Sequence, residues 1–260
     1  FDSRFGSQGM AHFAFSDILG DHQVYFSSEM EVSLKNSDYY FQYRYLKKLY
    51  DWNFVLYHNA IKYNYFYDTN TYTQEFNRYR ILGTSISCLR PISRFNRFEG
   101  SIDFNYTEDA KVTEVSDGFK KNVAEDVNAS FTTLIPGMRH VWDNTIWSQT
   151  YPIDGYRTYI KYQMSPKLNK KSLLFHRITT DLRKYVPLTN GISLAGRLFL
   201  GTNFGENAQK FRLGGVPWIF SKEKNRFREN SDSLSIEELY FSEYLMPLRG
   251  TSISQRIGQQ

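Results

Sequence analysis

A run of about 18 apolar residues, the length that carries a helix across a bilayer, occurs nowhere in this 260-residue chain, so a transmembrane helix is excluded. Cysteine is nearly absent. The one present, Cys88, can form no disulfide within the chain, and its neighbours Ser87 and Leu89 offer no charge that would activate the thiol. Catalytic patterns are missing too. His12, His22, His58, His140 and His176 show no H-x-x-x-H spacing and no pairing with cysteine, so no zinc site is written here. There is no G-x-S-x-G elbow and no G-x-x-x-x-G-K-[ST] phosphate loop. A net charge of +5 would suit nucleic acid or anionic lipid, but the Arg and Lys residues are dispersed and form no basic block. Aromatics and arginines interleave, as at Phe95–Phe98, but in most strands period two sends them to opposite faces, whereas a single-strand nucleic-acid platform needs them on one. No enzymatic activity, metal, cofactor or nucleic-acid partner is therefore expected.

What is abundant is aromatic: 20 Tyr and 21 Phe, 17% aromatic in all with Trp, in a chain whose mean hydropathy is only −0.53. These residues suit a pleated, half-buried surface. Their arrangement is strictly alternating over long stretches. From Arg97 to Tyr106 one face reads Phe98, Gly100, Ile102, Phe104, Tyr106, and the other is wholly polar: Arg97, Glu99, Ser101, Asp103, Asn105. Tyr156 to Met164 sets Tyr156, Thr158, Ile160, Tyr162 and Met164 against Arg157, Tyr159, Lys161 and Gln163. Ile192 to Leu200 opposes Ile192, Leu194, Gly196, Leu198, Leu200 to Ser193, Ala195, Arg197, Phe199. Further strands are predicted near residues 9–18, 22–32, 38–46, 52–66, 73–90, 127–142 and 172–186, with no convincing amphipathic helix between them. The pattern specifies an all-β chain of about ten or eleven strands.

Alternation alone fits a soluble sandwich, with its apolar face inward, or a membrane barrel, with that face toward lipid. Length separates the two. Globular strands cluster at about 5–6 residues, whereas several of these reach ten or more and carry Tyr or Trp at their ends, as Tyr50, Trp52, Trp142 and Trp147 do. Tight turns at Leu19–His22, Lys47–Asp51, Pro91–Asn96 and Pro187–Asn190 alternate with longer polar links at Ser33–Asp38, Tyr67–Thr73, Thr107–Asp126 and Ser165–Lys171. That rhythm matches short periplasmic turns and longer external loops. Only Asp143–Gly155 breaks it, being long where a short turn is due. The expected architecture is a transmembrane antiparallel β-barrel in which Asp103, Asp181, Arg183 and Arg197 face the lumen while Phe104 and Leu198 face lipid. Residues 107–126 and 203–250 are expected on the outer face. Carboxylates sharing a face, Glu99 with Asp103 or Asp181 beside Arg183, read as facing lumen charges and not as an acid/base pair.

Several segments, in this order, resemble the barrel domain of the bacterial surface-antigen family, the BamA- and TamA-like outer-membrane assembly and translocation factors. They are Gly9–His22, with Phe13, Phe15 and Leu19-Gly20-Asp21-His22; Pro91–Phe98; Trp142-Asp143-Asn144 followed by Pro152–Gly155; Asp181–Tyr185; Phe211–Gly215; and Pro247-Leu248-Arg249-Gly250. The form with Leu213-Gly214-Gly215-Val-Pro-Trp218 and a long insert is most similar to Bacteroidetes-type members fused to a TolB-like propeller. Thr251 departs from the aromatic that the family prefers after Arg-Gly. The resemblance implies sixteen strands in full, with the first strand lying before this chain or only partly in it and five more following Gln260. Residues 1–260 would then be one incomplete barrel domain. It further implies insertion or export of proteins at the outer membrane of a Gram-negative bacterium. Outer-membrane lipids, client proteins and accessory lipoproteins would be the partners. Leu213, Gly214 and Gly215 would form the base of a lumen loop anchored by Pro247, Leu248, Arg249 and Gly250. A passive porin or transporter barrel, which has no need of that loop, is the alternative; a soluble all-β ligand-binding domain is the other. Arg249→Ala is expected to lower the heat stability of the folded protein on semi-native gels and to impair function, and Arg228→Ala to do neither; equal, negligible effects would remove Arg249 from its anchoring role.

Overall fold

A computed structural model describes residues 9–31, 34–68, 73–117, 120–189, 191–208, 211–213, 244–246 and 256–258. The structure is all-β, 79% strand, and among the described residues the only helical turn is a single 3-10 turn at Leu34–Asn36. The strands are β1 (Gly9–Ser16), β2 (His22–Met30), β3 (Asp38–Tyr45), β4 (Asp51–Asp68), β5 (Thr73–Pro91), β6 (Asn96–Asp117) and β7 (Lys120–Asp143). They continue with β8 (Ile146–Trp147), β9 (Pro152–Ser165), β10 (Phe175–Thr189), β11 (Ile192–Phe204), β12 (Phe211–Leu213), β13 (Tyr244–Met246) and β14 (Arg256–Gly258). The first eleven make one antiparallel sheet in the order β1-β2-β3-β4-β5-β6-β7-β9-β10-β11, with β8 paired to β9. The sheet is not closed, β1 and β11 standing at its two ends. A second sheet of three short strands runs β13-β12-β14.

Tight turns bring several successive strands of the large sheet together. Between β1 and β2 the Asp17 carboxylate accepts from the His22 amide at 2.9 Å, and the Gly20 amide donates to Asp17 O at 3.1 Å. Between β5 and β6 the amides of Ile92 and Ser93 both donate to Asn96 O. The anomalous segment after β7 is also a built turn. Asn144 O and N exchange with Tyr156, its side-chain oxygen taking the Tyr156 amide at 2.7 Å and its own amide donating to Tyr156 O at 3.1 Å. Gly155 closes it at φ +98, and a Cβ there would lie 2.5 Å from Asn144 O. Only glycine fits both the backbone conformation and the space.

The chain forms two compact units: Phe1–Cys88, Ser101–Ile135 and Lys167–Ser172 make one; Leu89–Gly100, Pro136–Pro166 and Leu173–Gln260 make the other. In the first, one expectation fails. Thr107–Asp126 is not a polar loop: β6 runs on to Asp117 and β7 starts at Lys120. Two of its carboxylates, Glu108 and Asp109, have partners distant in sequence. Arg80 donates to Glu108 at 2.9 Å, as does the Tyr106 hydroxyl at 3.0 Å, and Asn128 donates to Asp109 at 3.1 Å. Arg78, only 2% exposed, makes a forked pair with Glu125 at 3.1 and 3.2 Å and reaches Asn36 at 3.3 Å. Lys35, from the 3-10 turn, also binds Glu125, at 2.9 Å.

The hydrogen-bonded Arg78 guanidinium holds the Glu125 carboxyl down to about 2, against an ordinary 4.5. A carboxyl lowered on folding adds stability that is complete above its unfolded pKa and is lost as pH falls through the folded one. Denaturant midpoints should therefore drop as pH falls from about 4.5 toward about 2, and Glu125→Gln should flatten that slope; an unchanged slope would mean that the pair contributes nothing. Arg78→Ala, which takes the forked partner from Glu125 and leaves it only the exposed Lys35, should cost about 1–3 kcal/mol at neutral pH.

Candidate functional site

Side chains directly opposite each other in a ladder share a face, so the registers of β7, β9, β10 and β11 read as rows across four strands. Four rows lie on one face: Asp143, Arg157, Arg183, Arg197; then Val141, Tyr159, Asp181, Phe199; then Arg139, Lys161, Thr179, Gly201; then Gly137, Gln163, Arg177, Asn203. The interleaved rows lie on the other: Trp142, Thr158, Leu182, Leu198; His140, Ile160, Thr180, Leu200; Met138, Tyr162, Ile178, Thr202. Across these seven rows every carboxylate, arginine and lysine is on one side, and Leu182, Leu198, Leu200, Ile160, Ile178 and Met138 are on the other.

Burial runs opposite to that of a water-soluble sheet. Asp181 is 1% exposed and Thr179, Val141 and Asn203 are buried, while Leu198 is 53% and Leu194 59% exposed, with Ile160, Met138, Ile192 and Leu200 exposed as well. On β6 Phe98, Ile102 and Phe104 are exposed as well, Phe104 at 42%.

Asp181 is the hub of the charged face. Arg183 Nη2 donates to its Oδ2 at 2.8 Å and Arg183 Nε to Oδ1 at 3.1 Å, while Arg197 Nη2 donates to Oδ2 at 2.7 Å. Planar forks on one carboxylate fix both arginines in place. The Arg197 guanidinium also lies 5.8 Å over the Phe199 ring, and Phe199 meets Phe211 edge-on at 6.3 Å. Phe211, the first residue of β12, is buried with its ring against Gly201, where a Cβ would come within 2.5 Å of it. The missing side chain at 201 is what lets β12 approach β11 this closely. Farther along the face, Arg177 Nε donates to Asn203 at 3.0 Å, and Arg139 Nε to Glu99 at 2.6 Å, a carboxylate that Arg97 shares at 2.7 Å. Arg157 lies 3.4 Å from Asp143.

Of the residues singled out from sequence, the structure joins Asp181, Arg183 and Arg197 in one contact. Asp103 lies elsewhere, in the first unit, accepting from the hydroxyls of Ser85 and Ser101. Leu213 ends β12, whereas Gly214, Gly215, Pro247, Leu248, Arg249 and Gly250 fall outside the described residues. Sequence reasoning missed Arg139, Arg157, Lys161 and Arg177 as members of the same face. The alternation of Arg157 and Lys161 along β9 was visible, but their company on other strands depends on register. Glu99 and Asp103, paired on paper, have separate partners.

No model of a known protein family matches this chain, and no curated protein matches it. The functional reading therefore rests on the residues and the geometry.

Asp181→Asn removes the charge that two adjacent guanidiniums share and should cost about 3–5 kcal/mol in denaturant unfolding. Asp103→Asn, which meets only hydroxyls, should cost about 1 kcal/mol. Equal losses would mean that Asp181 is no hub.

Proposed function

We propose that this sheet is the wall of an outer-membrane β-barrel belonging to an assembly or translocation factor of a Gram-negative bacterium. The observation that carries the reading is the inverted burial: Leu194, Leu198, Leu200 and Ile160 stand exposed on the face opposite a buried Asp181. Water leaves such an apolar surface unstable, since each large side chain brought into an apolar medium gains about 1.5–3 kcal/mol. Lipid is the medium that covers a continuous band of this kind. The band on β11 runs from Ile192 to Leu200, which matches the 9–11 residues that a tilted strand needs to span a bilayer. Trp52, near the start of β4, and Trp142, near the end of β7, are both exposed beside a turn, where interfacial aromatics belong. On β6 the run of exposed apolar residues at alternate positions, Phe98, Ile102 and Phe104, gives way at the same parity to the buried Glu108. We read the remainder of β6 and the start of β7 as strands projecting beyond the membrane on the outer side.

The motif-bearing segments favour an assembly factor over a passive pore. The Asp143–Gly155 turn is held by Asn144 and Gly155, the residues that the resemblance picks out, and Phe211, which opens the resembling segment Phe211–Gly215, packs on the charged face. Such a protein acts by binding and positioning clients, with lipids, client polypeptides and accessory lipoproteins as its partners, and involves no bond chemistry.

Two measurements test this. Membrane fractionation should recover the protein only with detergent; recovery in the aqueous phase without it would sink the barrel reading. Leu198→Arg should destabilise the folded protein by about 2–4 kcal/mol in lipid. Arg197→Lys, which keeps a charge beside Asp181, should cost less, and the reverse order would place lipid on the wrong face.

A further inference from the structure

We propose that the face of β1–β4 opposite its exposed phenylalanines binds neutral oligosaccharide. This goes beyond the translocation reading and does not depend on it, because the face is fixed by strand register and side-chain chemistry alone.

The ladders joining β1 to β2, β2 to β3 and β3 to β4 place two sets of side chains back to back. On one side Phe13, Phe26, Phe41 and Leu56 form a row. The other side carries three rows, from His12 to Tyr57, from Ala14 to Val55 and from Ser16 to Asn53, and across them Arg44 is the only permanent charge. A face so poor in charge has little hold on an ionic ligand and suits a neutral one.

Tyr25 stands at its centre, 37% exposed. The His12 ring stacks on it at 6.5 Å, with Nδ1 3.3 Å from the Tyr25 hydroxyl, and Tyr40 meets it edge-on at 5.9 Å. Held from two sides, the ring keeps its orientation without a ligand having to order it. Ala14, directly opposite on β1, presents only a methyl and leaves space beside the ring. A pyranose has a face of C–H groups with partial positive charge, and the face of an aromatic ring is negative.

Hydrogen-bonding capacity is left over around this ring. Gln42 lies directly opposite Tyr25 on β3, and its Nε2 donates to Asn53 at 2.7 Å, which leaves Oε1 without a donor among the described residues. The Tyr40 hydroxyl likewise has no partner among the described residues. Arg44, exposed and one row along from Gln42, donates from Nη1 alone, to Gln23 at 3.3 Å, so that Nε and Nη2 stay open. An acceptor, a hydroxyl that can do both, and a two-pronged donor match the adjacent hydroxyls of a sugar, each of which donates and accepts. A polypeptide is the poorer fit, since its backbone pairs with the free edge of a sheet and not with a face.

The test is saturation-transfer NMR on the detergent-solubilised protein, with maltoheptaose, cellohexaose and mannohexaose as probes and a Gly-Ser decapeptide as comparison. At least one of the sugars should take up saturation, and the decapeptide should not. Tyr25→Ala should weaken sugar binding by about fivefold or more, and Tyr25→Phe, which keeps the ring face, by less than about twofold. Arg44→Gln should weaken it severalfold; because Arg44 is exposed, that variant stays informative if Tyr25→Ala folds poorly. Raising salt from about 0.05 to about 0.5 M should change binding by less than about twofold. Saturation of none of the sugars, binding unchanged in both Tyr25→Ala and Arg44→Gln, or equal saturation of the decapeptide would each overturn the proposal. Fractionation into the aqueous phase would instead remove the translocation reading and leave this binding result standing.

Discussion

A β-strand sends successive side chains to opposite faces, and in this sheet that geometric fact is made to separate two solvents. On β11 the even positions Ile192, Leu194, Leu198 and Leu200 are all exposed and apolar, while the odd positions include Arg197, Phe199 and the buried Asn203. A slip of one residue in the pairing of β10 with β11 would move Asp181 onto the apolar side and Leu182 onto the ionic side. Register is therefore the constraint from which the rest follows: which charges meet, which glycines can be crossed, and which surface is left for an apolar medium.

The ionic face has its own internal logic. Opposed arginines are tolerated because Asp181 sits in the adjoining row, where it reaches two of them, and because Phe199 offers its ring to Arg197. Buried ion pairs of this kind add little net stability compared with an apolar core, but losing one partner is costly. The same economy operates in the first unit, where Arg78 is satisfied by Glu125 and Asn36 and so holds the 3-10 turn against β5 and β7. In both places a carboxylate ties together elements far apart in sequence, and apolar packing, with few buried hydrophobics such as Val141, Phe175 and Phe76, plays a smaller part.

Much of this was legible in the sequence wherever one face was apolar. The strands at 97–106, 156–164 and 192–200 were each found within longer ones, and the odd length of Asp143–Gly155 marked the turn that Asn144 and Gly155 build. Reading failed at Thr107–Asp126, where Thr107, Glu108, Asp109 and Glu114 interrupt the apolar alternation and resemble a loop. Within the strand Glu108 and Asp109 are satisfied by Arg80 and Asn128, distant in sequence. The candidate site was legible only in part for a related reason. Asp181 and Arg183 are two residues apart and so share a face on any strand, but the meeting of Arg183 with Arg157 and Arg197 depends on the register of three strands, which no local pattern encodes.

The account stands or falls on what covers the apolar face. The most direct measurement is a nitroxide scan of residues 192 to 200 on a Cys88→Ser background in lipid vesicles, reading collisions with oxygen, which concentrates in lipid, and with a water-soluble nickel chelate. Oxygen collisions should peak at the even positions, from 192 through 198 to 200, and chelate collisions at 193, 195, 197 and 199. The opposite phase, or chelate access at every position, would contradict the account.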